Sequence, residues 1–255
     1  MTKKITLVLI LTLLTWFMGI CQSKDTRLDH VPIAVMDIIE AEKTFLNLGF
    51  SIKNGKMHSN GLINFFLKFA DGTYIEIISP SKGVQDSTTE FYADFLKKSE
   101  GGAALCLSAD FEDNATSYKN WPLKQFDFPK VFTITQIDSS EFDWLFFIKY
   151  HADVIDEPRL LIHDNQVLGI EKVHLSQQKF DQFQKLFGPQ KNIGSDVNAK
   201  THITGITFKV QDLISCKKVL VNRLNIRLKI QEKGGRKSIL LPKEYAHDVW
   251  FEFVQ

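Results

Sequence analysis

The chain has no excess of charge of either sign. Its 255 residues include 31 lysines and arginines against 30 aspartates and glutamates, a formal net charge of +1 at pH 7. Basic residues do gather between Lys217 and Lys237, but apolar residues separate them, which is typical of a solvated surface. Without an extended positive field there is nothing to attract nucleic acid or an acidic membrane. The composition therefore predicts no nucleic-acid partner.

Cysteine is scarce, with three residues in the whole chain. Cys21 lies in the N-terminal apolar segment, which leaves Cys106 and Cys216 for the folded protein. No pair of cysteines and no cluster of cysteine and histidine has the spacing of a zinc site. Both remaining cysteines lie in apolar patterns that are typical of buried thiols, although in an exported protein a disulfide between them is the alternative.

Three common catalytic signatures are also missing. The sequence contains no GxSxG, no GxxxxGK[ST], and no GxGxxG after a predicted strand. These motifs build the nucleophile elbow, the phosphate-binding loop and the dinucleotide turn, respectively. The sequence therefore gives no support to a hydrolase of that type, a P-loop enzyme or a dinucleotide-binding enzyme.

The N-terminus has the pattern of a targeting segment. Lys3 and Lys4 precede an apolar run from Ile5 to Ile20, and polar sequence begins at Gln22. The run is too short for a comfortable membrane span, so residues 1–21 are predicted to be a cleaved signal peptide. This predicts an exported protein, periplasmic or extracellular, with no membrane span in the mature chain. Lipidation of Cys21, which would give a membrane-anchored lipoprotein, is the alternative.

The stretch that follows places a histidine on one face of a strand. Apolar branched residues alternate through Leu28–Val35, with His30 on the other face. Asp37 stands where a helix N-cap belongs, and apolar residues then follow at helical spacing until Gly49. This helix can cover the branched face of the strand. The face that carries His30 would then stay open.

A hairpin downstream brings a glutamate to the same side. Two predicted strands, Leu62–Phe69 and Thr73–Ile78, flank an Asp71-Gly72 turn signal. If Ile75 and Ile77 pack under the helix, Glu76 points toward His30 because strand side chains alternate. A histidine and a glutamate brought together in this way suit a metal site or an acid–base pair.

The arrangement of strand followed by helix recurs along the chain. The further units begin at Ala103–Ala109, followed by a helix from Asp110; at Gly169–Leu175, followed by a helix to Gly188; and at Thr204–Val210, followed by a helix from Asp212 to Leu224. The third unit is short, because only residues 189–203 separate its helix from the fourth. The pattern predicts an α+β fold of repeated βαβββ modules, with curved mixed sheets and helices outside. We expect an N-terminal domain at 22–151, a linker at 152–166 and a reduced C-terminal domain at 167–255.

Several of these segments, taken in order, resemble a known family. Leu28-Asp29-His30-Val31, the turn Gly61-Leu62-Ile63-Asn64 and the strand Asp71–Ile78 are similar to motifs of the large glyoxalase-like branch of the vicinal oxygen chelate superfamily. Phe146–Tyr150 and His163-Asp164-Asn165 resemble two further motifs of that branch. The resemblance covers nearly all of the predicted mature chain. It implies the same fold of βαβββ modules.

The resemblance also implies a site, and the sequence departs from it. The superfamily's metal site takes a histidine from the first strand and a glutamate from the last strand of each of two paired modules. The first module supplies His30 and Glu76, but counting along the second module places Ala103 and Lys149 at the matching positions. A lysine adds repulsion to a metal site, and it could neutralise Glu76 instead. The resemblance with this departure predicts a small-molecule pocket with a degenerate metal site and no required cofactor.

Three functional interpretations follow. The first is a protein that binds a small organic ligand or acts on it by proton transfer, as a lyase or isomerase if it is an enzyme. Its catalytic candidates are Glu76, His30 and Lys149, and its ligand-binding candidates are His30, His58, Asn64, Glu76 and Lys149. The second is a metal-dependent lyase, isomerase or dioxygenase that uses His30 and Glu76; the sequence does not place its third ligand, for which His58 and His151 are candidates. The third is a protein that sequesters a ligand without catalysis. A satisfied strand histidine at position 30, or a structural ion pair between Glu76 and Lys149, is the non-functional alternative.

Overall fold

The computed structural model describes residues 26–111, 117–153, 155–197 and 201–255. The predicted signal peptide therefore lies outside the described residues. The described chain is mostly β-sheet with four α-helices, which confirms the predicted mixed fold. The helices are α1 Ile38–Asn47, α2 Ser87–Leu96, α3 Gln177–Phe187 and α4 Leu213–Leu224. None of them has both the length and the apolar character needed to cross a membrane.

Within the described residues, sixteen strands make up the sheet. In chain order they are β1 Arg27–Ala34, β2 Lys53–Met57, β3 Leu62–Lys68, β4 Tyr74–Pro80, β5 Gly101–Gly102, β6 Leu105–Ser108, β7 Ser117–Tyr118, β8 Trp121–Phe128, β9 Phe132–Ile137, β10 Leu145–Tyr150, β11 Val167–Ser176, β12 Ile193–Asp196, β13 Ile203–Val210, β14 Ile230–Lys233, β15 Arg236–Leu241 and β16 Trp250–Val254. Short 3-10 turns lie at Pro158–Leu160 and Lys243–Tyr245.

The first module has the predicted arrangement. The Asp37 side chain caps α1 by accepting hydrogen bonds from the backbone N–H groups of Ile39 and Glu40. The apolar face of α1 packs on the sheet through Phe45, which shares one buried core with Ile75 and Ile77. Burying a side chain of this size stabilises the fold by about 1.5–3 kcal/mol. The opposite face of β1 and β4 is left for polar side chains.

The second module differs from the prediction in its helix. Asp110 and Phe111 are not helical and β7 begins at Ser117, so the expected helix after Asp110 is wrong for the described residues; residues 112–116 lie outside them. The helix that does occur, α2, precedes the module. Asp86 caps it, and Thr89 completes a capping box.

The C-terminal half repeats the strand register of the first module. In the first module β1 and β4 are parallel, with His30 opposite Tyr74 and Pro32 opposite Glu76. In the last module β13 and β16 are parallel, with Gly205 opposite Trp250 and Thr207 opposite Glu252. The third unit contains one strand after its helix, β12, as its short length predicts. The repeated modules are thus confirmed, with the second and third incomplete.

The two halves meet at a very short strand. β5 pairs with β1 through Gly102 and Ile33, and with β13 through Gly102 and Ile203. Gly102 has no room for a side chain, since a Cβ there would lie 2.5 Å from the Ile203 Cβ. The hydrophobic core also continues across the junction, where the rings of Phe50 and Phe208 are 5.8 Å apart.

The predicted linker, 152–166, contains a 3-10 turn and no longer helix or strand in its described residues. His163 and Asn165 near its end are buried. His163 Nδ1 accepts a hydrogen bond from the Ser51 backbone, and the Asn165 amide donates to the Leu48 carbonyl. These contacts attach the segment to the end of α1. Cys106 and Cys216 are both free and buried.

Candidate functional site

His30 lies at the centre of a buried polar cluster, on the face of β1 that α1 does not cover. Its Nδ1 is 2.6 Å from Asp29 Oδ1, and its ring stacks on Tyr74 with centroids 4.3 Å apart. Phe146 meets the ring edge-on at 5.5 Å. Only 3% of the residue is exposed. The imidazole is therefore held by one stacked ring, one edge contact and one hydrogen-bonded nitrogen.

A β-bulge explains how two consecutive residues can meet. Leu28 lies opposite Leu107 and His30 opposite Cys106, so Asp29 is an extra residue in the ladder between β1 and β6. In a regular strand Asp29 and His30 would point to opposite faces. The bulge redirects a side chain locally, which accounts for the contact between them. Asp29 Oδ1 also accepts a hydrogen bond from the Tyr150 hydroxyl at 3.1 Å.

Glu76 approaches the other side of the imidazole. Its Oε2 is 3.6 Å from His30 Nε2, and its Oε1 accepts a hydrogen bond from the Asn64 amide at 2.7 Å. Asn64 Oδ1 in turn accepts the Lys56 backbone N–H at 3.2 Å. The Glu76 side chain is 15% exposed, against 4% for His30. A ligand therefore reaches the carboxylate more readily than the imidazole behind it.

The electrostatics keep this pair ionised. Burial by itself lowers the pKa of His30, but Cys106, Asp29 and Glu76 together raise it well above its usual value. Burial raises the pKa of Glu76, but the nearby, positively charged His30, the Asn64 amide and the charge of His58 outweigh burial, so the pKa of Glu76 is lowered. Burial raises the pKa of the Cys106 thiol to about 12. The cluster thus holds a cationic imidazole between two carboxylates.

The structure brings three predicted site residues into contact, His30, Asn64 and Glu76. His58 is half-buried and close enough for its charge to act on Glu76. Lys149 is placed differently: its Nζ pairs with Asp110 at 2.7 Å, on a side chain 34% exposed. The groups that stabilise the Glu76 carboxylate are therefore His30 and Asn64, in place of the predicted Lys149.

His151, the other candidate for an extra metal ligand, also lies elsewhere. It is exposed and lies directly after the strand that carries Lys149, and its Nε2 contacts Asp127 at 3.2 Å and Thr133 at 3.0 Å.

The strand register corrects the positions assigned to the second module. Cys106, not Ala103, lies opposite His30 across β1 and β6. Phe146 and Tyr150 face the cluster, and Lys149 belongs to the other face of β10 because side chains alternate. Counting from Asp110 fails because the segment after β6 does not continue into a helix at the same spacing as the segment after β1.

The described residues do not fit the superfamily's full set of two histidines and two glutamates. One imidazole and one carboxylate face each other, and the matching strand offers a thiol and aromatic rings instead. A divalent ion is still chemically compatible with a different set, since Asp29, His30 and Cys106 each offer a ligand atom within 4.8 Å of the other two. A thiolate and an imidazole suit zinc or another borderline-soft metal.

Sequence reasoning missed several members of the cluster. Asp29 was missed because its contact with His30 depends on a β-bulge, for which the sequence gives no signal. Tyr74 and Tyr150, whose hydroxyls are 3.2 Å apart, could have been found from the alternation that identified Glu76. Cys106 could have been found only from the pairing of β1 with β6.

A cleft of about 680 Å³ lies away from this cluster. It is at the junction of the halves, and His247 Nδ1 pairs there with Glu100 Oε2 at 2.7 Å. The other nitrogen, Nε2, is buried without a hydrogen-bond partner among the described residues. It faces inward, where the His247 ring stacks on Phe45 at 5.7 Å.

The fold is similar to that of known ring-cleaving dioxygenases. A variant of homoprotocatechuate 2,3-dioxygenase from B. fuscum has 8% identity and a TM-score of 0.59, and the match covers 93% of this chain and 73% of that one. The 2,3-dioxygenase LapB from Pseudomonas sp. KL28 has 10% identity and a TM-score of 0.56, over 89% and 91% of the two chains. At these identities the similarity shows a shared fold.

Comparison with curated protein sequences gave no significant match. The sequence profile of the glyoxalase-like domain family, however, matches residues 28–189, which is more than half of the chain. The match contains the whole His30 cluster. The chain therefore belongs to the glyoxalase-like domain family of the vicinal oxygen chelate superfamily.

Proposed function

We propose that the cluster of His30, Asn64 and Glu76 binds a small organic molecule and exchanges a proton with it through Glu76, without the superfamily's usual metal. The observation that carries the proposal is the Glu76 carboxylate. Its Oε1 is fixed by Asn64, and its Oε2 lies 3.6 Å from His30 Nε2, beyond good hydrogen-bond length. Oε2 therefore keeps capacity to accept a hydrogen bond from a ligand.

His30 supports this role of Glu76 from the buried side of the cluster. As an imidazolium it stabilises the ionised carboxylate, while Asp29 holds its Nδ1. A general base must be deprotonated and in reach of the proton that it removes. The lowered pKa of Glu76 meets the first condition at neutral pH, and its partial exposure meets the second. Glu76 is the catalytic base of the proposal, and His30 and Asn64 position it.

The ligand chemistry is suggested by a solved neighbour. The homoprotocatechuate 2,3-dioxygenase from Brevibacterium fuscum, a structure at 7% identity and TM-score 0.58, was obtained as a complex with 3,4-dihydroxyphenylacetate. The adjacent hydroxyls of 3,4-dihydroxyphenylacetate can donate hydrogen bonds to a carboxylate. We propose an aromatic ligand with neighbouring hydroxyls, which can also pack on the partly exposed edge of the ring cluster at Tyr74. The Phe66 ring, half-buried and 5.9 Å from Tyr74, extends that edge.

Calorimetry with 3,4-dihydroxyphenylacetate under anaerobic conditions tests the proposal. Glu76→Gln should weaken binding at least about tenfold, since a hydrogen bond to a charged group is worth about 1.5–3 kcal/mol. Glu232→Gln, on the exposed strand β14, is the matched control and should bind as the wild type does. Equal affinity in the two variants would overturn the proposal. Mass spectrometry of the incubated ligand separates turnover from sequestration.

Metal content separates this proposal from the metal-dependent alternative. The protein should be purified without chelators and analysed for zinc, manganese, iron and nickel. A stoichiometric metal that is lost in His30→Gln would overturn the metal-free proposal. Less than about 0.1 equivalent of each metal would remove the alternative.

We also propose that the protein is exported, on the strength of the N-terminal pattern. Mass spectrometry of the protein from the expressing cell should give a mature chain that begins at Gln22. A chain that retains Cys21 with a lipid would support the anchored alternative, and an uncleaved N-terminus would contradict both.

A further inference from the structure

A second group of polar side chains occupies the matching position in the C-terminal half. Glu252 takes the place of Glu76 in the strand register, and Gly205 takes the place of His30. Opposite Gly205, on the neighbouring strand β11, lies His174. The imidazole has thus moved to the facing strand, which changes the groups that surround it.

A threonine connects this histidine to the glutamate. His174 Nε2 is 3.0 Å from Thr207 Oγ1, and Thr207 Oγ1 donates to Glu252 Oε2 at 3.1 Å. A hydroxyl has one hydrogen to donate, so Thr207 must accept its bond to His174. The hydrogen of the neutral imidazole is therefore on Nε2. Nδ1 is left with a bare lone pair.

That lone pair and a lysine side chain both lie against the backbone of Gly194. A Cβ built on Gly194 would lie 3.0 Å from His174 Nδ1, 2.7 Å from Lys172 Cε and 3.2 Å from Lys172 Nζ. Within the described chain neither nitrogen has a hydrogen bond or an ion pair. Gly194 lies directly opposite His174 in the ladder between β11 and β12. The acceptor His174 Nδ1 and the Lys172 ammonium thus both lie beside Gly194, at the edge of the sheet.

Trp250 forms a wall beside His174. Its ring is 4.4 Å from that of His174, and its indole N–H donates to Asp196 at 3.1 Å. A Cβ on Gly205 would lie 2.0 Å from the Trp250 ring, so the ring lies flat on that strand. The wall is therefore rigid and apolar. It offers a surface for carbon atoms that an inorganic ion would not use.

The histidine stays neutral over the physiological range. Burial, followed by the charge of Lys172, lowers the pKa of His174 to about 4. Nδ1 therefore remains an acceptor at neutral pH and needs a donor from its ligand.

We propose that Lys172 and His174 form a second binding site, distinct from the Glu76 cluster, for a small organic anion with a hydroxyl group next to its carboxylate. The Lys172 ammonium binds the carboxylate, the hydroxyl donates to His174 Nδ1, and the carbon atoms contact Trp250. Thr207 and Glu252 are positioning residues that keep the acceptor on Nδ1. The site does not depend on the function proposed for Glu76.

Nuclear magnetic resonance of the full mature chain, with labelled histidine and tryptophan, tests the site with glycolate as the probe. Glycolate should shift the His174 Nδ1 and Trp250 indole signals, with a dissociation constant on the order of 1 mM. Acetate has the charge but no hydroxyl, and should bind about three to ten times more weakly. Equal binding of acetate, or tighter binding of inorganic phosphate, would overturn the proposal.

Lys172→Gln should weaken glycolate binding at least about tenfold. Lys209→Gln, an exposed lysine on β13, is the matched control and should leave it unchanged. Glu76→Gln should also leave it unchanged, which keeps this test separate from that of the first site. The same response to glycolate in Lys172→Gln would overturn the proposal.

Two further variants test the geometry. Gly194→Ala puts a methyl group where the two nitrogens converge, and should abolish the glycolate shift while the melting curve shows a folded protein. Thr207→Val should change the ¹⁵N shifts of both His174 ring nitrogens, and Thr207→Ser should restore them. Unchanged shifts in Thr207→Val would show that the relay does not set the tautomer.

Discussion

Glu76 faces His30 across two parallel strands, with 3.6 Å between Oε2 and Nε2, while Asp29 holds the other ring nitrogen at 2.6 Å. The imidazole is thus enclosed by two carboxylates inside a largely buried site. This arrangement makes the charge of His30 and the geometry of Glu76 depend on each other.

Glu76→Gln should lower the pKa of His30, because it removes one of the two carboxylates that raise it. The pKa can be measured from the pH titration of the His30 ring signals. Asn64→Ala, which frees Glu76 Oε1 but keeps its charge, should lower the pKa of His30 much less. An unchanged His30 pKa in Glu76→Gln would show that the two groups do not interact.

Asp29→Asn should destabilise the fold by about 1–2 kcal/mol, because it replaces the charged acceptor of the His30 imidazolium by a neutral one. The asparagine Oδ1 can still accept from both Tyr150 and His30 Nδ1, so the loss reports on the negative charge of Asp29. Denaturant unfolding gives the free energy. Tyr150→Phe is the companion variant, and it should cost about 0.5–1.5 kcal/mol. A smaller loss in Asp29→Asn than in Tyr150→Phe would contradict the prediction.

The stability of the wild type relative to His30→Gln should fall as the pH rises from about 6.5 toward the pKa of His30 in the folded protein. Its pKa is raised in the folded state, so unfolding in this range releases a proton and becomes easier with increasing pH. Free energies of unfolding at a series of pH values from 6 to about 9 measure the trend. A difference that grows with pH over this range would reverse the sign and refute the raised pKa.

Lys149→Met should have little effect on ligand binding by the Glu76 cluster and should cost at most about 1 kcal/mol of stability. Its partner is Asp110, a 76% exposed side chain, and an exposed ion pair contributes little. This variant tests the sequence-based hypothesis directly, since that hypothesis makes Lys149 the counter-ion of Glu76. A loss of binding as large as that of Glu76→Gln would restore the original hypothesis.

Gly205→Ala should destabilise the protein by at least about 2 kcal/mol, because the new Cβ would lie 2.0 Å from the Trp250 ring. Gly72→Ala is the control for conformational strain without a clash, since Gly72 has a φ of +87° and open space around it. It should cost about 1 kcal/mol. Thermal unfolding ranks the two, and a larger cost for Gly72→Ala would contradict the packing argument.

The first module could be derived almost completely from the sequence. Alternation along Leu28–Val35, the Asp37 cap and the Asp71-Gly72 turn are local signals, and each belongs to a separate element. The face of Glu76 followed from alternation alone. These signals sufficed because α1, β3, β4 and the part of β1 after Asp29 are regular, and because the elements that follow one another in sequence also pack together.

The second module could not be derived in the same way. Counting to Ala103 assumed that every strand enters a helix at the same distance, and the segment after β6 does not. The pairing of His30 with Cys106 joins strands far apart in sequence, and the bulge at Asp29 depends on that pairing. Comparison with a motif placed Lys149 in the site, whereas the alternation of β10 directs Phe146 and Tyr150 there. Long-range register, and not local propensity, decided which residues meet.

The two-residue strand β5 has a mechanical consequence. Gly102 bonds to β1 on one side and to β13 on the other, and the absence of its side chain lets three backbones run in contact. Sliding or hinging of one half against the other would have to rupture that ladder and split the shared aromatic core at the same time. Heating should therefore melt the molecule in one cooperative transition, with neither half surviving alone as a folded fragment.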